Sequence, residues 1–334
     1  MLREKGVLSK MSTQVSSGKL VTIFGGSGFI GRNVVRALAK RGYRIRVAVR
    51  RPDLAGHLQP LGAVGQIQAI QANIRVPYSI EAAAAGSDVV INLVGILHES
   101  GRQSFDVVQG QAPGIIAKAA KAAGATTFVQ MSAIGADTDS ASGYARSKAP
   151  GEAAVKAAFP EAIIIRPSVV FGPEDEFFNR FASLARFSPV LPLIGGGQTK
   201  FQPVYVGDVA EAVARAVDGD AKSGTTYELG GPDVASFETL MQKMLEVIER
   251  RRFLAPVPWT VARIMGTALG LLPNPLLTVD QVKLLESDNV VSAEAERGNR
   301  TLSGLGITPH GMAAILPSYL KRFRRTGEYD IRPA

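Results

Sequence analysis

Residues 20–31 read Leu-Val-Thr-Ile-Phe-Gly-Gly-Ser-Gly-Phe-Ile-Gly, and the fold turns on this stretch. Leu20–Phe24 is a short apolar run of strand length, followed by glycines at 25, 28 and 31 and then an amphipathic stretch. A strand that turns sharply into a helix needs small residues at the bend, so that the backbone can reach conformations and approaches a Cβ would block. Free amides and the positive end of the helix dipole then make the bend a site for an anion. Gly25, Ser27, Gly28, Phe29, Ile30 and Gly31 are therefore candidates for holding the diphosphate of a dinucleotide.

Outward from this turn, Ile30, Val34, Val35 and Leu38 share one helical face, and Arg44–Val49 reads as a second strand. Ile67–Ala72, Asp88–Val94, Thr127–Met131 and Ala162–Arg166 read as four more strands, with helices over Ser79–Ala85, Ala112–Ala123 and Ser147–Ala158 between them. Such alternation predicts an α/β protein with a doubly wound parallel Rossmann sheet. After Pro167 the rhythm breaks; Val204–Val206, Asp208–Val217 and Thr226–Leu229 look like strand, helix and strand returning to the sheet. From Ser236 the chain reads as mainly helical. The expected organisation is a disordered tail over 1–18, a nucleotide-binding domain over 19–171 rejoined by 204–230, and a smaller region over 172–203 and 231–334 for substrate or partner.

Composition narrows the function classes. The 334 residues carry no cysteine, which removes disulfides and thiolate metal sites together. His57, His98 and His310 have no ligand spacing, so no metal is expected. The net charge of +9 favours anionic partners, but no aromatic-basic nucleic-acid motif accompanies it, and nucleic acid is not expected. The first nineteen residues lack the apolar core of a secretory signal. Val257–Leu272 is apolar, yet broken by Arg263, Gly266 and Gly270 and ended by Pro273. It is shorter than the about 20 apolar residues of a membrane span. A buried helix is one reading; a partner surface or membrane contact anchored by Trp259 is the other.

The second strand ends in Arg50 and Arg51. An NAD site would place a carboxylate there, about 20 residues past the glycines, to accept bonds from the ribose 2′-hydroxyl. A guanidinium cannot accept them but can clamp a 2′-phosphate, so NADP(H) is the expected cofactor, with NAD(H) second. Tyr144 and Lys148 stand four residues apart near the start of a helix, hence on one face. An ammonium there favours the tyrosinate and lowers the phenol pKa. Ser132 ends the fifth strand and can donate to a substrate carbonyl. Ser132, Tyr144 and Lys148 are the candidate catalytic residues.

Together these motifs resemble the short-chain dehydrogenase/reductase superfamily in its extended, epimerase-like branch, from about Lys19 to Gly231. By that resemblance Asn73 and Ile74 border the adenine, Leu93, Val94 and Gly95 the middle of the cofactor, and Pro167, Ser168 and Val169 the nicotinamide. Asn73 stands where such proteins usually carry aspartate. The resemblance also gives Lys148 the nicotinamide ribose. The runs 159–168, 171–175, 179–183 and 202–208 are similar to a narrower group, the nucleotide-binding accessory subunits of respiratory complex I (NADH:ubiquinone oxidoreductase) with their bacterial and coenzyme-Q-biosynthesis relatives. This implies a structurally held NADP(H) and complex I subunits as partners. It also implies a peripheral place at the inner membrane, cytoplasmic in a bacterium and on the matrix side in a mitochondrion. An active NADP-dependent oxidoreductase or epimerase, acting on a ubiquinone precursor or a nucleotide sugar, is the alternative.

Overall fold

The computed structural model describes residues 18–272, 275 and 277–327. The expected tail over 1–18 lies outside the described residues except for Gly18, and so does Pro273. The chain opens with β1 (Leu20–Phe24), α1 (Phe29–Lys40) and β2 (Arg44–Val49). It continues through β3 (Ile67–Gln71), α2 (Pro77–Ala84), β4 (Val89–Asn92), α3 (Ala112–Ala122), β5 (Thr127–Met131), α4 (Gly143–Ala158) and β6 (Ile163–Pro167). Beyond these lie β7 (Val170–Phe171), α5 (Phe178–Phe187), β8 (Val190–Ile194), β9 (Lys200–Phe201) and β10 (Val204–Tyr205). They lead into α6 (Val206–Asp218) and β11 (Thr226–Leu229). The remainder is β12 (Ala235–Ser236), α7 (Phe237–Val247), β13 (Phe253–Val257), α8 (Trp259–Gly270), α9 (Val279–Leu284), α10 (Ala293–Arg297) and α11 (Met312–Leu320).

Seven strands form one parallel sheet in the order β11-β6-β5-β4-β1-β2-β3, the doubly wound arrangement expected. Strand order reverses between β1 and β4, and ligands of such sheets sit outside the carboxyl ends of the strands at that point. The alternation of β1 shows why the sheet is covered on both sides. Val21 and Ile23 enter a core with Val34, Val35 and Leu38 of α1 and Val209 and Val213 of α6. Phe24 points into the opposite core with Ile80, Ile116 and Val155 from α2, α3 and α4.

A second lobe has its own core: Phe178 and Ala182 of α5, Leu191 of β8, Leu240 and Met241 of α7, and Leu316 of α11. It is less helical than the sequence suggests, because β13 pairs in parallel with β8 from Phe253↔Val190 to Val257↔Ile194. Pro256 hides this strand in the sequence, yet a two-stranded edge tolerates a residue without an N–H. The apolar segment after it is not the buried helix of the first reading. Ala262 and Gly266 of α8 are buried, whereas Val261, Ile264, Leu271 and Leu272 are exposed, Ile264 by 71%. Trp259 is half-buried, its indole lying so close on Gly195 that a Cβ there would come within 2.1 Å of the ring. It fastens the helix to the end of β8 instead of projecting from it. Among the described residues no helix is long and apolar enough to cross a membrane.

Candidate functional site

The stretches 25–31, 50–51, 73–74, 93–95 and 167–169 expected to bind the cofactor lie at or just past the ends of β1, β2, β3, β4 and β6, so they gather along the carboxyl edge of the sheet, while Tyr144 and Lys148 lie on α4. Gly25 has φ +80°, and its carbonyl accepts from the amide of Gly28 at 3.2 Å. A Cβ on Gly31 would lie 2.4 Å from that same carbonyl, so α1 can begin here only without a side chain at 31. Gly28 differs. It caps α1, is exposed, and an added Cβ would meet only the Gly25 carbonyl, at 3.5 Å. The protein's own packing does not demand glycine at 28, whereas a ligand approaching the backbone would. The first amides of α1 have no intrahelical acceptor, Gly28 offers no side chain to cap them, and the first turn carries no acid. Ser27, Phe29 and Ile30 complete this turn and are partly buried.

The crossover brings Leu93 and Val94 against the turn: a Cβ on Gly25 would sit 3.1 Å from Val94 Cγ2 and 3.2 Å from the Leu93 carbonyl carbon. One residue on, a Cβ on Gly95 would lie 3.3 Å from Gln109 Oε1 and 3.4 Å from Lys148 Nζ. The 25–31 turn, the 93–95 segment and Lys148 therefore form one continuous wall. Past the end of β2, Arg50 donates to Gln103 Oε1 at 2.9 Å, while exposed Arg51 pairs with Asp53 at 2.8 Å. The side-chain oxygen of Asn73 accepts from the amide of Arg75 at 3.1 Å, beside partly buried Ile74. Arg75 also reaches the carbonyl of Arg102, which places a further guanidinium beside the 102–103 loop that Arg50 contacts. Sequence reading missed it; its signal was an arginine two residues past the third-strand asparagine.

Tyr144 and Lys148 lie on α4, with Lys148 Nζ 5.4 Å from the centre of the Tyr144 ring. The helix starts at Gly143, four residues earlier than its sequence pattern suggests, so the pair occupies its first turns. Ser142 caps it, and Asp280 at the start of α9 completes the cap. The Asp280 carboxylate accepts from Ser142 Oγ at 2.8 Å, from the amide of Gly143 at 2.6 Å and from that of Tyr144 at 3.1 Å. Four residues beyond Lys148, buried Glu152 forms a bidentate pair with Arg166 at 2.9 and 2.7 Å, and Arg166 lies 3.7 Å from Glu228. Asp280 comes from a segment far away in sequence, and no local motif announces it or the Glu152–Arg166 pair.

The protonation of the pair corrects the sequence expectation. Burial pushes the Tyr144 phenol up to about 12, and burial, partly opposed by Glu152, brings the Lys148 ammonium down to about 8. Desolvation of both groups outweighs the attraction between an ammonium and a tyrosinate. Near neutrality Tyr144 is thus a hydroxyl donor, and Lys148 is charged but easily neutralised.

Ser132, at the end of β5, is 4% exposed and its hydroxyl has no hydrogen-bond partner. Its amide bonds to Ile165, and Ile134 to the Pro167 carbonyl, so it runs beside the 167–169 segment. Ser168 is committed elsewhere, donating to Asn289 Oδ1 at 2.6 Å, and the Val169 amide donates to the same oxygen at 3.1 Å. Gln109 sits in a π-helical turn over Asp106–Gln111 and donates to Ser147 at 3.1 Å; its own buried oxygen is unpaired. The orphaned buried oxygen of Gln109, an uncapped helix start and open space at Gly28 are what a bound dinucleotide would complete, and the residues present fit that group. Among the described residues no group of three His, Asp or Glu side chains could hold a metal ion.

Residues 21–230 match the family described as the NAD dependent epimerase/dehydratase family. The chain is 36% identical over 338 aligned positions to "NADH dehydrogenase [ubiquinone] 1 alpha subcomplex subunit 9, mitochondrial" of Arabidopsis thaliana, covering 98% of this chain and 82% of that one. It is 36% identical over 191 positions to "Ceramide reductase" of Caulobacter vibrioides, covering 57% of this chain and 58% of that one. Among solved structures, an NADPH-dependent quinone oxidoreductase from Escherichia coli in complex with NADPH superposes with a TM-score of 0.69 at 20% identity. That superposition covers 90% of this chain and 99% of the other, and shows the fold. This chain belongs to the NAD dependent epimerase/dehydratase family, in the branch it shares with the alpha subcomplex subunit 9 proteins.

Proposed function

We propose that this protein is an NADP(H)-holding structural or assembly subunit of respiratory complex I, peripheral at the inner membrane. The observation that carries this is the extent of the subunit 9 match: it runs over 98% of the chain, through the lobe beyond residue 230 where the general family match ends. A dinucleotide domain alone would account for residues 21–230; the rest of the likeness needs a shared role for the second lobe. The exposed apolar face of α8 supports such a role as a surface for partner subunits or the membrane.

The residues that would hold the cofactor are the 25–31 turn for the diphosphate, Arg50 and Arg51 for the 2′-phosphate, and Asn73 and Ile74 at the adenine. Leu93–Gly95 would line its middle, Tyr144 and Lys148 the nicotinamide ribose, and Pro167–Val169 the ring. A bound nicotinamide supplies hydride exchange. Tyr144 would act as acid towards a substrate oxygen that Ser132 also contacts, and Lys148 would set the phenol's electrostatics.

A second reading, a working NADP-dependent oxidoreductase or epimerase on a carbonyl substrate, draws on that intact trio and on the unpaired Ser132 hydroxyl. Native purification separates the two. The full chain, extracted gently from its own membranes, should co-migrate with complex I and release NADP(H), identified by mass, only on denaturation. Free migration, rapid nucleotide exchange and carbonyl turnover that vanishes in Tyr144→Phe would overturn the subunit reading in favour of the enzyme.

A further inference from the structure

Three helix ends converge at one tip of the second lobe, and an arginine caps each of them. Arg252 Nε donates to the Ala185 carbonyl in the last turn of α5 at 2.7 Å. Arg324 Nε donates to Val247 at the end of α7, and Arg250 Nε to Phe323 in the final helical turn. Capping explains why cations are here, since the last carbonyls of a helix attract them. It does not explain the surplus. Arg186 and Arg325 take no part in the capping, yet they join Arg252 in holding the Arg250 guanidinium below its ordinary range, after burial. Glu249 at this end is already paired with Arg324 at 3.0 Å. Glu246 lines a shallow cleft of about 400 Å³ with Glu249, Arg250 and Arg251 and is the one other carboxylate there. A net cluster of like charges is unfavourable unless something anionic meets it.

Apolar side chains stand inside this cluster. Phe187 is 81% exposed with Arg186 over its ring at 5.5 Å, and Phe253 is 68% exposed. Phe253 pairs with exposed Val190 at the first register position of β13 and β8. Exposed rings and an aliphatic side chain within a basic rim suit the boundary between headgroups and acyl chains, where the charges meet phosphates and the rings leave water. Nucleic-acid stacking platforms line grooves that track a strand, whereas these residues stand on the ends of a helix and two strands.

We propose that the tip formed by Phe187, Val190 and Phe253 within Arg186, Arg250 and Arg325 docks on an anionic phospholipid surface. The surface uses none of the residues expected at the nucleotide site and none of the exposed α8 side chains, and it stands whether or not the subunit reading holds.

The test is co-sedimentation of the full chain with vesicles of phosphatidylcholine alone or mixed with phosphatidylglycerol. Binding should require the anionic lipid and weaken with salt. The Arg186→Glu/Arg325→Glu variant should lose at least about fivefold in affinity per arginine. Phe187→Ser/Phe253→Ser should also bind more weakly, Ile264→Ser on α8 should bind as the parent does, and every variant should keep its thermal stabilisation by NADPH. Three results would each overturn the proposal: equal binding to neutral vesicles, parental binding by the charge-reversed variant, or retention only by polyglutamate or an oligonucleotide. Loss in Ile264→Ser alone would move the membrane contact to α8, refuting this tip while leaving peripheral attachment intact.

Discussion

Lys148 is buried beside a phenol and one turn from a carboxylate, and the net result is an ammonium that loses its proton at about 8. An unfolded lysine holds its proton to about 10.4. Between these values the unfolded chain binds more protons than the folded one, so stability rises with pH across this window. The displacement corresponds to about 3 kcal/mol when complete. Tyr144 acts oppositely but later: its folded value of about 12 exceeds the ordinary 10, so its contribution is lost only above pH 10. Melting curves of the parent and Lys148→Met should therefore converge as pH goes from 8 to 10, the variant's advantage shrinking by several degrees. Parallel curves would mean that the ammonium pays no burial penalty. At the other end of the site, Arg50 is held by a neutral amide and Arg51 by a carboxylate. Arg50 is freer to reach a 2′-phosphate. Arg50→Ala should weaken NADPH by about tenfold or more, on the scale of a charged hydrogen bond, with NADH little changed. Arg51→Ala should do less. Calorimetry showing equal losses for both nucleotides would remove the arginines from cofactor choice.

Helix α4 carries the Tyr144–Lys148 pair on a face that continues into Glu152, and its start is fixed by a residue 136 positions away from Tyr144. Asp280 satisfies two of its orphan amides and places negative charge at the positive end of its dipole. Asp280→Ala should cost about 1–2 kcal/mol, the usual loss of a helix cap. Asp280→Asn should recover part of that, keeping an acceptor but not the charge. Thermal melts decide the first point, and the affinity for NADPH reports whether the Tyr144–Lys148 end has shifted. Unchanged melting in the alanine variant would show that Ser142 caps the helix unaided.

Across the molecule, the two lobes are joined at the site itself. Asn289 from the C-terminal region holds Ser168 and Val169 after β6, and Asp280 holds the start of α4. Ligand binding on the sheet edge should then stabilise both lobes together. NADPH at a hundred times its dissociation constant adds about 2.7 kcal/mol, or about 5 °C in the melting temperature of a chain this size. One shifted transition is expected; a second lobe melting at an unchanged temperature would show that the joints do not couple.

What the chain determined alone is its periodicity and its small residues. The run from Leu20 to Gly31 specified strand, turn and helix because backbone approach at 25 and 31 excludes side chains, and alternating apolar strands and helices specified the parallel sheet. The i, i+4 spacing likewise placed Tyr144 and Lys148 together. These are local constraints, readable without knowing the neighbours. The tertiary structure decided what depends on neighbours distant in sequence: the cap by Asp280, the clamp of Asn289 on Ser168, the pairing of β13 with β8, and the exposed face of α8. It also decided the protonation of the pair, because desolvation depends on everything packed around a group, and sequence spacing records only which two groups are close.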